Sequence, residues 1–258
     1  MIKVKKDWWK NFFNHIYLIT DARSVCDHKL TCRETDLVEK ALKLNKSDRI
    51  LDLFGGQGRH LIELGKRGYQ DLSVLDYSDY LIKLGKKIAK KSALKINFHR
   101  GDSRTTGLTS NNYSVILIMA NSFGYFPEEK ENLRVLKETN RLLIANGRLL
   151  LDLTNPAYVK NKLKPLSWHG IGNDIDVVRK REIEKGLVRT QEVVISKKNG
   201  LIRNGCYCER LYSKPRIFRL LRESGFKNIK IKSGLSLHKK KQDYGFLTSR
   251  MIVTAVKP

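Results

Sequence analysis

Hydrophobic and polar positions follow two alternating patterns over most of the chain. Short apolar runs, typical of strands buried in a parallel sheet, are separated by longer amphipathic stretches with helical spacing. These patterns predict helices at 58–68, 78–93 and 128–146, and strands at 49–54, 71–77, 95–100, 113–120 and 147–153. Strands at 227–233 and 248–256 bring the sheet to seven strands, with the last one antiparallel. The sequence therefore predicts an α/β fold in which helices cover both faces of a mostly parallel sheet.

The pattern changes between residues 166 and 212. Extended segments at 175–184, 187–197 and 201–212 are joined by short turns, and Asn199-Gly200 in the second turn is a strong hairpin signal. They predict an antiparallel β meander inserted before a helix that begins near Pro215. We therefore divide the chain into an N-terminal helical segment (1–45), an α/β core (46–160 and 213–258) and an insertion (161–212).

The N-terminal segment has two features of its own. Aromatic and apolar residues recur with helical spacing over 8–19, which predicts a helix that packs on the core. Thr31-x-x-Glu34 is typical of a capping box, and it predicts a helix from there through Leu44.

A glycine-rich turn follows the first predicted strand, with glycines at 55, 56 and 58. A strand, a glycine turn and a helix bring bare backbone close to a nucleotide-like ligand, because a Cβ would block the approach and some turn positions require a positive φ. Asp76 ends the second strand, where a carboxylate can accept two hydrogen bonds from a ribose diol. Polar residues also follow the third and fourth strands, at Asp102 and at Asn121-Ser122. Because open α/β sheets bind ligands at the carboxyl ends of their strands, we expect one site there.

These motifs, in this order, resemble those of the class I S-adenosylmethionine-dependent methyltransferases, and the resemblance covers residues 30–155 and 213–258. It implies S-adenosylmethionine as the cofactor, with the glycine turn beside its methionine half, Asp76 on its ribose and Asp102 facing its adenine amine. Phe54 stands where many members carry the first glycine, which implies an extended backbone at that position. The implied cofactor-binding residues are Tyr17, Arg33, Gly55, Gly56, Gly58, His60, Asp76, Tyr77, Ser78, Gly101, Asp102, Ser103, Asn121 and Ser122.

The resemblance also implies methyl transfer to nitrogen or oxygen of a small molecule by direct displacement. Asn121 and Tyr125, at the end of the fourth strand, are the candidate catalytic residues. In the resembled family, N-terminal helices often close over the cofactor and an insertion of this kind is a lid over the substrate pocket. The candidate substrate-binding residues are Tyr125, Arg179, Arg181, Tyr207 and Arg210. The four in the insertion have an alternative position on a solvated outer face, since alternate strand residues point outward.

An NAD-binding Rossmann domain is the alternative interpretation of the glycine turn. It requires the spacing Gly-x-Gly-x-x-Gly beneath a pyrophosphate. Here the glycines fall at 55, 56 and 58, and Leu61 occupies the position of the third glycine. The methyltransferase interpretation is therefore favoured.

Composition adds a strong excess of positive charge, because 51 Lys and Arg residues stand against 26 Asp and Glu residues, for a formal net charge of +25. Such an excess attracts polyanions, so an RNA methyltransferase is the alternative function. However, the lysine runs at 86–91 and 239–241 are separated and lack the interleaved aromatics of a groove for single-stranded nucleic acid. We therefore favour scattered surface charge and a small substrate that is anionic or carries an amine, with nucleic acid as the less favoured partner.

The remaining features narrow the class of protein. The sequence has no apolar stretch of about 18 residues, and its N-terminus is too charged for a signal peptide, so we expect no membrane association and a cytoplasmic location. Four cysteines are too few for a disulfide framework in a chain of 258 residues, and their spacing does not fit a zinc site. No metal site is predicted.

Overall fold

The computed structural model describes residues 1–237 and 248–258, so the lysine run at 239–241 lies outside the described residues. Its helices are α1 (Trp9–Phe12), α2 (His15–Thr20), α3 (Ala22–Val25), α4 (His28–Leu42), α5 (Arg59–Lys66), α6 (Asp79–Lys91), α7 (Glu129–Leu142), α8 (Pro156–Lys162) and α9 (Lys214–Glu223). Its strands are β1 (Ile50–Leu53), β2 (Leu72–Asp76), β3 (Ile96–Arg100), β4 (Tyr113–Ile118), β5 (Leu143–Thr154), β6 (Leu166–Ile171), β7 (Ile175–Glu184), β8 (Leu187–Ser196), β9 (Gly200–Arg210), β10 (Lys227–Leu235) and β11 (Arg250–Val256). Within this part of the chain, every helix is too short or too polar to cross a bilayer.

The predicted seven-stranded sheet is confirmed, with the strand order β10-β11-β5-β4-β1-β2-β3. Strands β1 to β5 pair in parallel, and β11 runs antiparallel to both β5 and β10. Every residue of β1 is buried, because helices cover both faces of the sheet: Leu51 and Leu53 pack into one apolar cluster and Ile50 packs into the other. The carboxyl ends of β1, β2, β3 and β4 therefore meet along one edge.

The inserted meander is also confirmed, although it has four strands in the order β6-β7-β8-β9 rather than the predicted three. β6 was not recognised because Leu166 and Trp168 are 62% and 66% exposed, so its side chains carry no core signature. The meander is joined to the core at its last strand, where the backbone N–H of Arg210 donates to the carbonyl of Gly124 at 2.8 Å. Cys208 and Tyr212 are buried in the same apolar cluster as the main sheet.

Two predictions for the N-terminal segment are wrong. The expected helix over 8–19 is broken into α1 and α2, because the Asn14 side chain caps the second helix by accepting a hydrogen bond from Ile16 N at 2.9 Å. The helix predicted from Thr31 begins at His28 instead, with Asp27 as its cap. Thr31 lies inside this helix, where its hydroxyl donates back to the carbonyl of Asp27 at 2.9 Å.

Candidate active site

A cavity lies at the carboxyl ends of β1 to β4, beneath the N-terminal helices. Counted with the open solvent at its mouth, it contains about 830 Å³ of empty space. Its lining comprises Trp9, Phe13, Tyr17, Val25, Asp52, Phe54, Gly55, Gly56, Gln57, Arg59, His60, Leu75, Asp76, Tyr77, Leu81, Gly101, Asp102, Ser103, Met119, Ala120, Ser122, Tyr125 and Phe126.

The glycine turn forms one wall of the cavity and contradicts one expectation. Phe54 is left-handed, with φ of 64°, and not extended, so it takes part in the turn that the sequence assigned to the glycines alone. Its side chain packs edge-on against Tyr125, with ring centroids 6.1 Å apart. At Gly55 a Cβ would lie 2.9 Å from side-chain atoms of both Asp52 and Val74, so only glycine fits between the turn and the sheet.

The Asp76 carboxylate stabilises the glycine turn by a hydrogen bond and also lines the cavity. Its Oδ2 accepts a hydrogen bond from Gly56 N and its Oδ1 accepts one from Ser78 N, both at 2.8 Å. Burial raises the pKa of Asp76 to about 6, although these backbone hydrogen bonds oppose the shift. Each carboxylate oxygen keeps a second lone pair, so the side chain can still accept hydrogen bonds from a ligand diol.

Asp52 is a site residue that the sequence analysis did not assign. It is fully buried at the end of β1, and neither carboxylate oxygen has a hydrogen-bond partner among the described residues. His60 lies nearby, with Nδ1 at 3.5 Å from Oδ2 of Asp52. A buried carboxylate without hydrogen bonds is costly, and a ligand ammonium in the cavity would relieve that cost. The sequence feature that could have identified Asp52 is its position in the first strand, three residues before the first glycine of the turn.

Arg59 is the second residue that the sequence analysis missed. It lines the cavity, and its Nη1 lies 2.5 Å from Oε2 of Glu34, which also lies 3.1 Å from Nε2 of His60. The predicted cofactor residue Arg33 does not line the cavity, and its Nε donates to the carbonyl of Leu237 at 3.2 Å. Arg59 of α5, and not Arg33 of α4, is therefore the arginine at the cavity.

Asp102 lines the cavity just after the end of β3. Arg104 forms a bidentate ion pair with the Asp102 carboxylate, with Nη2 at 2.6 Å from Oδ2 and Nε at 3.0 Å from Oδ1. The same guanidinium stacks over the rings of Phe126 and Trp9, at 4.5 and 5.3 Å from their centroids. Asp102 is thereby fixed in orientation beside two aromatic faces.

Aromatic side chains enclose the rest of the cavity. Phe13 lies between Tyr17 and Tyr125, with ring centroids at 5.1 and 5.3 Å, and Trp9 packs edge-on against Tyr77 at 4.7 Å. Burial raises the pKa values of Tyr17 and Tyr125 well above the usual value, so both remain neutral phenols. The enclosure is apolar, with hydroxyl groups at few points.

The structure brings most of the expected cofactor residues together, but not all. Those that line the cavity are Tyr17, Gly55, Gly56, His60, Asp76, Tyr77, Gly101, Asp102, Ser103 and Ser122. Arg33, Gly58, Ser78 and Asn121 lie outside the lining. Gly58 packs beside Phe98 below the turn, and the Ser78 side chain caps α6 by accepting from Leu81 N at 3.1 Å.

Of the candidate substrate residues, only Tyr125 lines this cavity. Arg179 and Arg181 are 3% and 5% exposed, which contradicts the alternative that they lie on a solvated face. Arg179 donates from Nε to Glu192 at 2.7 Å and from Nη2 to Asp21 at 2.9 Å. Arg210 donates from Nη2 to the carbonyl of Pro127 at 2.5 Å and so clamps the loop after β4.

The raised pKa of Asp76 predicts a pH-dependent affinity for a ligand diol. Below about pH 6 the carboxyl takes up a proton and loses acceptor capacity, so the dissociation constant should rise by up to about tenfold for each further pH unit. Calorimetric titration with S-adenosylmethionine between pH 5 and pH 8 measures this. A constant affinity across that range would contradict the assignment of Asp76 to the ligand.

Comparison with known proteins identifies the domain. Residues 50–147 match the model of a methyltransferase domain family. A glycine/sarcosine N-methyltransferase of Aphanothece halophytica is 26% identical over 128 residues, which are 50% of this chain and 48% of that protein. The match therefore spans about half of each protein.

Solved structures share the fold over nearly the whole chain. An S-adenosylmethionine-dependent methyltransferase from Clostridium acetobutylicum ATCC 824 superimposes with a TM-score of 0.73 at 16% identity, covering 96% of this chain and 98% of that one. The amino pentose methyltransferase CalS10 of Micromonospora echinaspora, solved with S-adenosylmethionine bound, has a TM-score of 0.71 at 14% identity and covers 96% and 99%. At these identities the likeness concerns the fold.

The cavity fits the cofactor that this fold binds. S-adenosylmethionine carries an ammonium, a ribose diol and a flat base, and the cavity offers the unsatisfied carboxylate of Asp52, the acceptor oxygens of Asp76 and a glycine turn that a Cβ would fill. Residues 50–147 therefore form a methyltransferase domain, and the cavity at its strand ends fits S-adenosylmethionine.

Proposed function

We propose that this protein transfers the methyl group of S-adenosylmethionine to a nitrogen of a small amine-bearing molecule. The observation that carries the proposal is the enclosure of the cavity by the aromatic side chains of Trp9, Phe13, Tyr17 and Tyr125. The negative faces of aromatic rings attract an ammonium or a sulfonium.

The relatives support nitrogen as the acceptor atom. One of them is named for N-methylation of glycine and sarcosine, and one of the similar structures is an amino pentose methyltransferase. Both names describe small acceptors with an amine. We extend that substrate class to this chain, and we place the acceptor beside Tyr125 and Ser122 at the end of β4.

The protein's contribution to the reaction is orientation and exclusion of water. Bound S-adenosylmethionine would supply an electrophilic methyl group to the acceptor nitrogen, with a neutral thioether as the leaving group. Asp52 would hold the ammonium of the cofactor, Asp76 would hold its ribose diol, and the glycine turn would support the part between them. The segment 1–45 and the insertion 161–212 close the site, in this proposal, as a cover and a lid.

RNA methylation is the competing function, because the exposed face of α6 carries Lys83, Lys86, Lys87, Lys90 and Lys91. Incubation with methyl-labelled S-adenosylmethionine, a panel of small primary and secondary amines and, separately, total RNA tests the two. We expect label in the small-molecule fraction only, with the Asp76→Ala variant as the background control. Label that enters RNA instead, with binding that weakens steeply as salt rises, would overturn the proposal.

A further inference from the structure

A cluster of three potential metal ligands lies where α4 packs against α5. His28 and Cys32 are one turn apart on α4, and Glu63 lies on α5. Cys32 Sγ lies 3.3 Å from Nδ1 of His28, and Nε2 of His28 lies 3.6 Å from Oε2 of Glu63. One ligand atom from each side chain lies within 4.8 Å of the other two. The cluster is separate from the candidate active site, because none of its three residues lines the cavity.

The spacing of these atoms is close to that around a tetrahedral metal ion. Zinc binds sulfur at about 2.3 Å and nitrogen or oxygen at about 2.0–2.2 Å, which places neighbouring ligand atoms about 3.3–3.8 Å apart. The two contacts of His28 fall in this range, although they involve different ring nitrogens. The His28 side chain is 68% exposed, so its ring has room to turn and present one nitrogen to an ion that also contacts Cys32 and Glu63.

Arg67 orients the Glu63 carboxylate for such an ion. Nε of Arg67 donates to Oε1 of Glu63 at 2.9 Å, whereas Oε2 is the oxygen nearer to His28. Carboxylates that bind metals are typically held by a hydrogen bond of this kind. The positive charge of Arg67 is offset by Asp36 and Glu39, whose carboxylates each lie 2.6 Å from its Nη1. The surroundings of the cluster therefore remain net negative, which favours a cation.

The three donors also select the class of ion. A thiolate and an imidazole favour zinc and similar transition metals, whereas magnesium and calcium prefer oxygen ligands. The thiolate of Cys32 and the carboxylate of Glu63 together balance the charge of a divalent ion. The exposed His28 leaves a path by which an ion can enter from solvent.

We propose that His28, Cys32 and Glu63 bind a divalent transition-metal ion, with zinc as the best match and water in the fourth position. The ion joins α4 of the N-terminal segment to α5 of the core. These are the helices that carry Glu34 and Arg59, whose ion pair lies at the cavity. The site stabilises this helix pair and takes no part in methyl transfer, so it is independent of the proposed function.

The sequence analysis predicted no metal site because it compared the spacing of the cysteines with that of zinc sites. This cluster uses one cysteine, with a histidine one turn earlier and a glutamate from another helix. The packing of α4 against α5 brings the glutamate to the other two residues, and no spacing along the chain encodes that contact.

Titration of the full chain with Co²⁺ tests the site. Co²⁺ adopts the same coordination as zinc, and its bond to a thiolate gives a charge-transfer absorption band in the near ultraviolet. The protein is first freed of metal with a chelator and kept reduced. We expect one equivalent of Co²⁺ to bind with this band, and Cys32→Ser to abolish the band. His28→Gln and Glu63→Gln should each weaken Co²⁺ binding about tenfold or more, because each removes one ligand.

Cys26→Ser is the matched control, because Cys26 is an exposed free thiol of the same segment outside the cluster. This variant should keep both the band and the affinity for Co²⁺. A missing band at saturating Co²⁺, or a band that persists in Cys32→Ser, would overturn the proposal, as would a band that depends on Cys26.

Thermal unfolding tests whether the ion joins the two helices. Zn²⁺ at about 100 times its dissociation constant should raise the melting temperature of the unchanged protein by about 5 °C or more, because the ion binds only the folded arrangement of α4 and α5. The melting temperature of Cys32→Ser should not respond to Zn²⁺. Binding of Co²⁺ with the expected band, but without any stabilisation by Zn²⁺, would contradict the role of the ion in joining the helices.

Discussion

Replacement of Asp76 by alanine is expected to weaken S-adenosylmethionine binding by about 100-fold or more. The carboxylate supplies the acceptors for a ligand diol, and hydrogen bonds to a charged group contribute about 1.5–3 kcal/mol each. The same side chain receives the backbone N–H groups of Gly56 and Ser78, so its loss also loosens the turn. Isothermal titration calorimetry at pH 7.5 measures the change in the dissociation constant.

Asp79→Ala is the control for this experiment. Asp79 lies three residues further along the chain and forms an ion pair with Lys83, and its side chain is 48% exposed. The Asp79→Ala variant should keep a dissociation constant within about twofold of the original value, because its ion pair with Lys83 is exposed to solvent and screened by it. If Asp76→Ala keeps the original affinity while its melting temperature is unchanged, Asp76 does not bind the cofactor.

The core sheet could be predicted because its signal is local. Ile50, Leu51 and Leu53 form an apolar run that ends in a glycine turn, and the same pattern of strand and helix recurs along the core. The helix boundaries of the N-terminal segment were predicted incorrectly, because two polar side chains determine where its helices begin. Asn14 and Asp27 each cap a helix, but Asn and Asp are also frequent in turns that precede no helix.

Some residues of the site could likewise be predicted from the sequence, whereas others could not. Asp76 and Asp102 follow strands, so the rule that ligands bind at strand ends was enough to place them at the cavity. Asp52 and Arg59 belong to the same segment as the glycine turn, yet their importance depends on burial and on Glu34, which lies in a different helix.

The insertion shows the limit of strand periodicity. An alternating pattern assigned Arg179 and Arg181 to one face correctly, but it did not say which face would be buried. Buried arginines are rare unless they are paired, so the burial of Arg179 indicates an ionic network. That network consists of Asp21, Arg179, Glu192 and Arg203, and it connects the N-terminal segment to the meander.

Replacement of Arg179 by methionine is therefore expected to lower the free energy of unfolding by about 3 kcal/mol. Breaking a buried ion pair costs about 3–5 kcal/mol, because the partner is left with an uncompensated charge. The cost lies at the lower end here because Glu192, fully buried, keeps its pair with Arg203 while Asp21 loses Arg179. Urea denaturation followed by circular dichroism measures the change.

Arg189→Met in the same sheet is the matched control, because Arg189 pairs with Glu184 at 3.0 Å and the two side chains are 21% and 43% exposed. Its removal should change the free energy of unfolding by less than about 1 kcal/mol. A loss of substrate affinity in Arg179→Met with no loss of stability would show that Arg179 acts on the substrate and not in the fold. The two outcomes differ because a buried charge pair contributes to folding before any ligand arrives, whereas a binding residue affects only the complex.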